Sequence, residues 1–131
     1  MIVRKAVFDA IGLLDERYFM YYEEVDFCRR AHDAGWECWY VPQSRVVHLV
    51  GQSSGVTNST MTSKRRPAYW FKSRRRYFLT HCGRFATFRA DLFWVTGFAQ
   101  WRVRQALLRR PDPSPRRMLT DFIRHNFIVM P

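Results

Sequence analysis

The chain has 131 residues, 47% hydrophobic and 17% aromatic, so it can bury a core without disulfide staples, and general disorder is excluded. Its net charge of +11 is uneven: residues 1–60 hold six basic and eight acidic side chains, net −2, whereas residues 61–131 hold 16 and three, net +13. The first part has the balance of a catalytic-type domain, and the second that of a surface meeting an anionic partner.

Residues 4–11 read as a short helix, with Val7, Ala10 and Ile11 on one face and Gly12 as its stop. Residues 13–22 are irregular but aromatic. A second helix begins at Glu23 or Glu24 and runs to about Ala34, with Val25, Cys28 and His32 spaced for one face and Gly35 as the cap. Residues 36–41, stopped by Pro42, and residues 45–50, with the β-branched pair Val46-Val47, read as strands. Residues 51–63 form a polar Gly/Ser/Thr loop.

From Lys64 the character changes. A helical stretch to about Cys82 alternates Tyr69, Trp70, Tyr77 and Phe78 with Lys72, Arg74, Arg75 and Arg76, and Gly83 breaks it. Residues 85–108 read as a longer amphipathic helix marked by Arg89, Arg102 and Arg104. A proline-rich linker at 111–115 precedes a last helix reaching Phe127, with Leu119, Phe122, Ile123 and Phe127 on one face. No apolar run reaches 18 residues, so a spanning helix is not expected. Three cysteines without a CxxC pair point to a reducing compartment, and residues 1–5 lack the pattern of a signal peptide. Cys28 or Cys38 with His81-Cys82 lacks the spacing of a structural zinc site.

Glu23, Glu24 and Asp26 cluster at the start of the second helix. Acidic side chains oppose the helix dipole there, and that alone explains them. The functional alternative is a fixed, accessible carboxylate that accepts the proton of an acceptor hydroxyl during inverting sugar transfer. Glu24 would be that base, Glu23 and Asp26 would bind the acceptor or order the loop, and Arg30 could pair with a carboxylate and hold the motif.

The run from Phe8 through Asp15-Glu16-Arg17-Tyr18-Phe19-Met20-Tyr21-Tyr22-Glu23-Glu24-Val25-Asp26 to Arg30 resembles the family-2 glycosyltransferase pattern F-x-x-x-G-x-F-D-E-x-F-F-M-Y-x-E-D-x-D-x-x-x-R. Ala34-Gly35-Trp36, Tyr40-Val41-Pro42 and Val46-Val47-His48 continue the likeness, which covers roughly residues 4–55 and is closest to the bacterial rhamnosyltransferase-like branch. The resemblance implies an α/β fold of the GT-A type, with residues 1–63 as the acceptor-side part of the catalytic domain. Glu24 takes the position of the family's usual Asp, the catalytic base, with one more methylene. Glu23, Asp26 and Trp36 become acceptor contacts, with Arg30 in support.

A lone histidine after a β-branched pair is ordinarily structural. In the resembling family the residue at His48 helps bind a divalent ion, Mn²⁺ or Mg²⁺, that stabilises the leaving diphosphate. Ser53 and Ser54, within Gly51-Gln52-Ser53-Ser54-Gly55, fit either an ordinary flexible loop or a lid over the diphosphate. The family's DXD metal motif and Gly-rich nucleotide site are not found in the sequence. The chain therefore reads as a fragment, inactive alone, for which another chain could supply the complementing N-terminal half.

Residues 64–131 form a basic aromatic helical tail with three competing readings: a membrane surface segment, a nucleic-acid binder, or ordinary packing helices. The apolar cluster Leu92, Phe93, Val95, Phe98 and Ala99 favours an anionic membrane surface over nucleic acid. The expected partners are a nucleotide-sugar donor and a lipid-linked or polysaccharide acceptor, at the cytoplasmic, inner face of a cell membrane. The competing functional class is a non-enzymatic basic module that binds membrane or nucleic acid.

Overall fold

A computed structural model of the protein describes residues 1–47 and 65–128. The chain divides into two compact units, Met1–His48 and Leu49–Pro131.

In the first unit, helix α1 spans Lys5–Ile11 and α2 spans Glu23–Asp33. Seven residues make a marginal helix in isolation, so α1 depends on packing. Val3, Val7 and Ile11 recur at four-residue spacing and meet Phe27 and Ala31 of α2, with Phe8 and Trp36 at the margin. The Phe8 and Phe27 rings lie 5.1 Å apart. Burying side chains such as Val7 and Phe27 contributes roughly 1.5–3 kcal/mol each. Gly12 ends α1 at φ 77°, a conformation that disfavours any residue with a Cβ, and its N–H donates to the Phe8 carbonyl. The buried face of α2 carries Asp26, Phe27 and Ala31. Val25 and His32, on the face expected to matter, are exposed.

The strands expected at residues 36–41 and 45–50 are not formed: residues 36–47 carry no strand, and residues 48–50 lie outside the described residues. Every regular element among the described residues is helical. The expected α/β, GT-A class is therefore overturned for this chain. β-Branched and aromatic residues favour a pleated surface only where a neighbouring strand and a core receive them. Here Trp39, Tyr40, Val46 and Val47 are 78–88% exposed, so their propensity has nothing to act on.

In the second unit, α3 spans Ala68–Leu107 and bends at Gly83, where φ 78° and ψ 170° lie outside the helical region. The bend is sharp enough to bring Arg74 into contact with Asp91, two residues that a straight helix would hold about 25 Å apart. Thr87 Oγ1 donates to the Gly83 carbonyl at 2.6 Å and closes the bend. The helix begins at Ala68, after extended Pro67, a few residues later than the sequence suggests.

Helix α4, Met118–Ile123, continues into a π-helical turn at Arg124–Ile128. Its Phe122 is fully buried against Phe71 and Met118, and stacks on Trp94 with centroids 3.8 Å apart. His125 stacks on Phe71 at 5.0 Å. Arg75 donates to the Asn126 carbonyl and ties the π turn to α3. No helix among the described residues is long and apolar enough to cross a membrane.

Candidate functional site

The acidic start of α2 is held from beneath. Asp26 is 2% exposed. Its Oδ2 accepts from Arg30 Nε at 2.8 Å, and its Oδ1 accepts from the Tyr18 hydroxyl at 3.3 Å. The one-turn spacing of Asp26 and Arg30 makes that pair accessible to a helix. Arg30 does more than pair: Nη1 donates to the Ile11 carbonyl at 2.7 Å and Nη2 to the Leu13 carbonyl at 2.9 Å. The Ile11 carbonyl is one of those left without an intrahelical partner at the end of α1. One guanidinium thus joins the end of α1, the loop after it and the first turns of α2.

The loop reaches α2 through two consecutive left-handed residues, Tyr21 at φ 69° and Tyr22 at φ 72°. A non-glycine side chain in this region is strained by roughly 1–3 kcal/mol, and such strain gathers where structure must hold a particular geometry. The Tyr22 carbonyl still accepts the first helical bond, from Asp26 N–H at 2.8 Å. Arg17 binds Asp15 through both its backbone and its side chain and stiffens the same loop.

The carboxylates differ in availability. Glu24 is exposed, and no hydrogen bond or ion pair among the described residues engages it. Glu23 is half-buried, and its Oε2 is out of solvent without a hydrogen-bond partner among the described residues. Asp26 is closed off by Tyr18 and Arg30. A rigid helix start with one accessible carboxylate, one unsatisfied acceptor and one anchored acid is equipped to accept a proton and a hydrogen bond from a hydroxyl compound.

Trp36 packs at the edge of the Val7–Phe27–Ala31 core with Arg4 5.8 Å from its ring centre. It follows the C-terminal end of α2, roughly 15 Å of helix from the acidic start, so the structure does not bring it to Glu24. His48, Ser53 and Ser54 lie outside the described residues. No group of three or more potential metal ligands occurs among the described residues. Burial, and then the neighbouring Cys38, pushes the Cys28 thiol above its ordinary value.

Tyr18 is a site residue that side-chain spacing does not single out. Its signal was a single departure: the family pattern has Phe where this chain has Tyr18, and the added hydroxyl reaches Asp26. The two carbonyls bound by Arg30 are likewise not legible in the sequence, because a contact with the backbone 17 or 19 residues away leaves no mark in side-chain spacing.

In the second unit the acids are all engaged. Arg74 and Arg75 face Asp91, Arg65 forks onto Asp121 with two bonds of 2.7 Å, and Arg102 meets Asp112 at 3.0 Å. The Arg65 hydrogen bonds hold the Asp121 carboxyl below its ordinary value.

Over 96 residues the chain is 36% identical to the N-acetylglucosaminyl-diphospho-decaprenol L-rhamnosyltransferase of Mycobacterium tuberculosis, a match covering 72% of this chain and 29% of that protein. A 31-residue stretch, 24% of this chain and 10% of the relative, is 55% identical to the low-salt glycan biosynthesis hexosyltransferase Agl10 of Haloferax volcanii. A third match, 32% identical over 53 residues, covers 40% of this chain and 18% of the dTDP-rhamnosyl transferase RfbF of Shigella flexneri. The chain spans less than a third of the length of the curated relatives it matches. No protein-family profile matches it, and no solved structure does.

Proposed function

We propose, for a chain that belongs to the rhamnosyltransferase-like branch of the family-2 glycosyltransferases, that the start of α2 is the acceptor side of a glycosyl-transfer site with Glu24 as its general base. The supporting observation is the contrast between exposed Glu24 and buried Asp26 two residues on, the latter fixed by Arg30 and Tyr18. An acid so anchored holds the helix start still, and the neighbouring carboxylate is left available.

In this reading the donor is a nucleotide-activated deoxyhexose and the acceptor a prenyl-diphosphate-linked sugar, the kind of substrates named for two relatives. In the proposed step an acceptor hydroxyl oxygen forms its bond to the anomeric carbon as the bond from that carbon to the nucleoside diphosphate breaks. The electron pair leaves with the diphosphate, and the hydroxyl proton passes to Glu24. Glu23, with an unpaired Oε2, would accept a second hydroxyl, since a buried acceptor without a donor costs about 1–3 kcal/mol. The strained Tyr21-Tyr22 link would fix the angle at which both carboxylates leave the loop. A metal ligand role for His48 would add Lewis-acid assistance to departure of the diphosphate, and no step above depends on it.

The test is a chimera in which residues 1–47 replace the matching stretch of the mycobacterial relative. Glu24→Gln is expected to lower kcat by about 10²–10⁴-fold with little change in KM, and Glu24→Asp to keep substantial turnover. Transfer by Glu24→Gln at the parent rate would rule out the base assignment.

A further inference from the structure

We propose that the outward face of the second arm of α3, across residues 85–107, lies on the surface of an anionic phospholipid bilayer. The proposal stands apart from Glu24 and from any transfer activity.

The arm after Gly83 is long, about 35 Å at 1.5 Å per residue. One side faces the core through Thr87, Asp91, Trp94 and Phe98. The opposite side presents Phe85, Phe88, Leu92, Phe93, Val103 and Leu107, each 45–79% exposed, with Phe88 also against the Phe127 ring and with exposed Arg89, Thr96 and Gln100 among them. Single exposed apolar residues are ordinary, but six along one helix face are not. At 100° per residue, Arg84 flanks this row on one side and Arg104 on the other, while Arg89 falls within it, its guanidinium 5.7 Å from the centre of the Phe85 ring. That is the layout of a helix lying in a bilayer interface, with apolar side chains at the acyl boundary and long cationic stems reaching back to phosphate.

The charge has one sign because the fold uses up the other. Asp91, Asp112 and Asp121 are the acids of residues 61–131, and each is engaged by Arg65, Arg74, Arg75 or Arg102. Arg84, Arg89, Arg104, Arg109 and Arg110 have no acidic partner among the described residues. A phosphate-rich surface complements them, and the exposed apolar row selects the kind. Leu92, Val103 and Leu107 offer no ring for a base to stack on, so a single-stranded nucleic acid would leave half of the row unused.

Co-sedimentation of the chain with phosphatidylcholine vesicles, with and without roughly 30 mol% phosphatidylglycerol, tests the proposal. The anionic vesicles are expected to take up the chain at low salt, with uptake falling as salt rises. Arg84→Glu/Arg89→Glu/Arg104→Glu is expected to weaken uptake by at least ~100-fold, on the order of five-fold or more per charge. Phe85→Ser/Leu92→Ser/Phe93→Ser is expected to abolish the salt-resistant part, with helical circular dichroism unchanged. Three results would overturn the proposal. One is uptake that is equal on neutral and anionic vesicles. Another is an oligonucleotide bound more tightly than vesicles and insensitive to the serine variant. The third is a dimer that the serine variant splits, in a chain without vesicle uptake.

Discussion

Both units bury an aspartate against an arginine, yet they leave opposite charges over. In the first, Asp26 is held by Arg30 and Tyr18 while Glu24 stays exposed, with no hydrogen bond or ion pair among the described residues. In the second, each of the three acids is engaged by arginine, and a surplus of arginines remains at the surface. The same device therefore prepares two surfaces: one with an available proton acceptor, the other with available cations. A buried ion pair by itself is weak evidence for added stability, because desolvation offsets much of its attraction. What differs is the residue left beside the pair, and there the two chemistries separate.

The comparison predicts unequal costs of breaking each pair. Asp91→Ala strands Arg74, itself 7% exposed at its side chain, and is expected to destabilise the second unit by about 3–5 kcal/mol in urea unfolding. Replacing both partners, Asp91→Leu with Arg74→Met, is expected to recover most of that loss. A double variant as unstable as the single one would mean that the pair is not the cause. Asp26→Asn is expected to cost less, about 1.5–3 kcal/mol, because Arg30 is partly exposed and keeps its two carbonyl acceptors. If Asp26→Asn proved neutral, the first unit would have no anchored acid and the contrast would fail.

Acidification sharpens the same contrast. Burial against Phe71 pushes His125 below its ordinary value of 6.5, so the folded state favours neutral imidazole. Its stabilising contribution is complete above that value and is lost as pH falls through the lowered one. Asp121, depressed by Arg65, also stabilises above the ordinary carboxylate value and is lost only at lower pH. Thermal melts should therefore fall in two steps on acidification, and His125→Phe should remove the upper step alone. The smallest expected effect is that of Tyr18→Phe, about 1 kcal/mol or less, since its bond to Asp26 is long at 3.3 Å.

Local signals carried well into the structure. Gly12 and Gly83 mark a helix end and a bend because both sit at positive φ. The acidic start of α2 falls at Glu23, as its charges suggest. The pairing of Arg30 with Asp26 follows from one-turn spacing. What depended on distant partners was not legible. Val46 and Val47 read as strand, yet no strand among the described residues pairs with them and they remain exposed. Arg89, Arg102 and Arg104 read as the polar markers of an amphipathic helix, yet it is Asp91 that the bend at Gly83 buries under Arg74. Amphipathic spacing around Val25 and Cys28 pointed to the wrong buried face, because α1 docks on Phe27 and Ala31 instead.

The pH dependence of kcat/KM in the chimera carrying residues 1–47 tests the central claim most directly. With Glu24 as general base, the profile should show an acidic limb with a slope of one proton, and Glu24→Gln should abolish that limb along with most of the rate. An acidic limb that survives Glu24→Gln unchanged would place the base elsewhere and contradict the assignment.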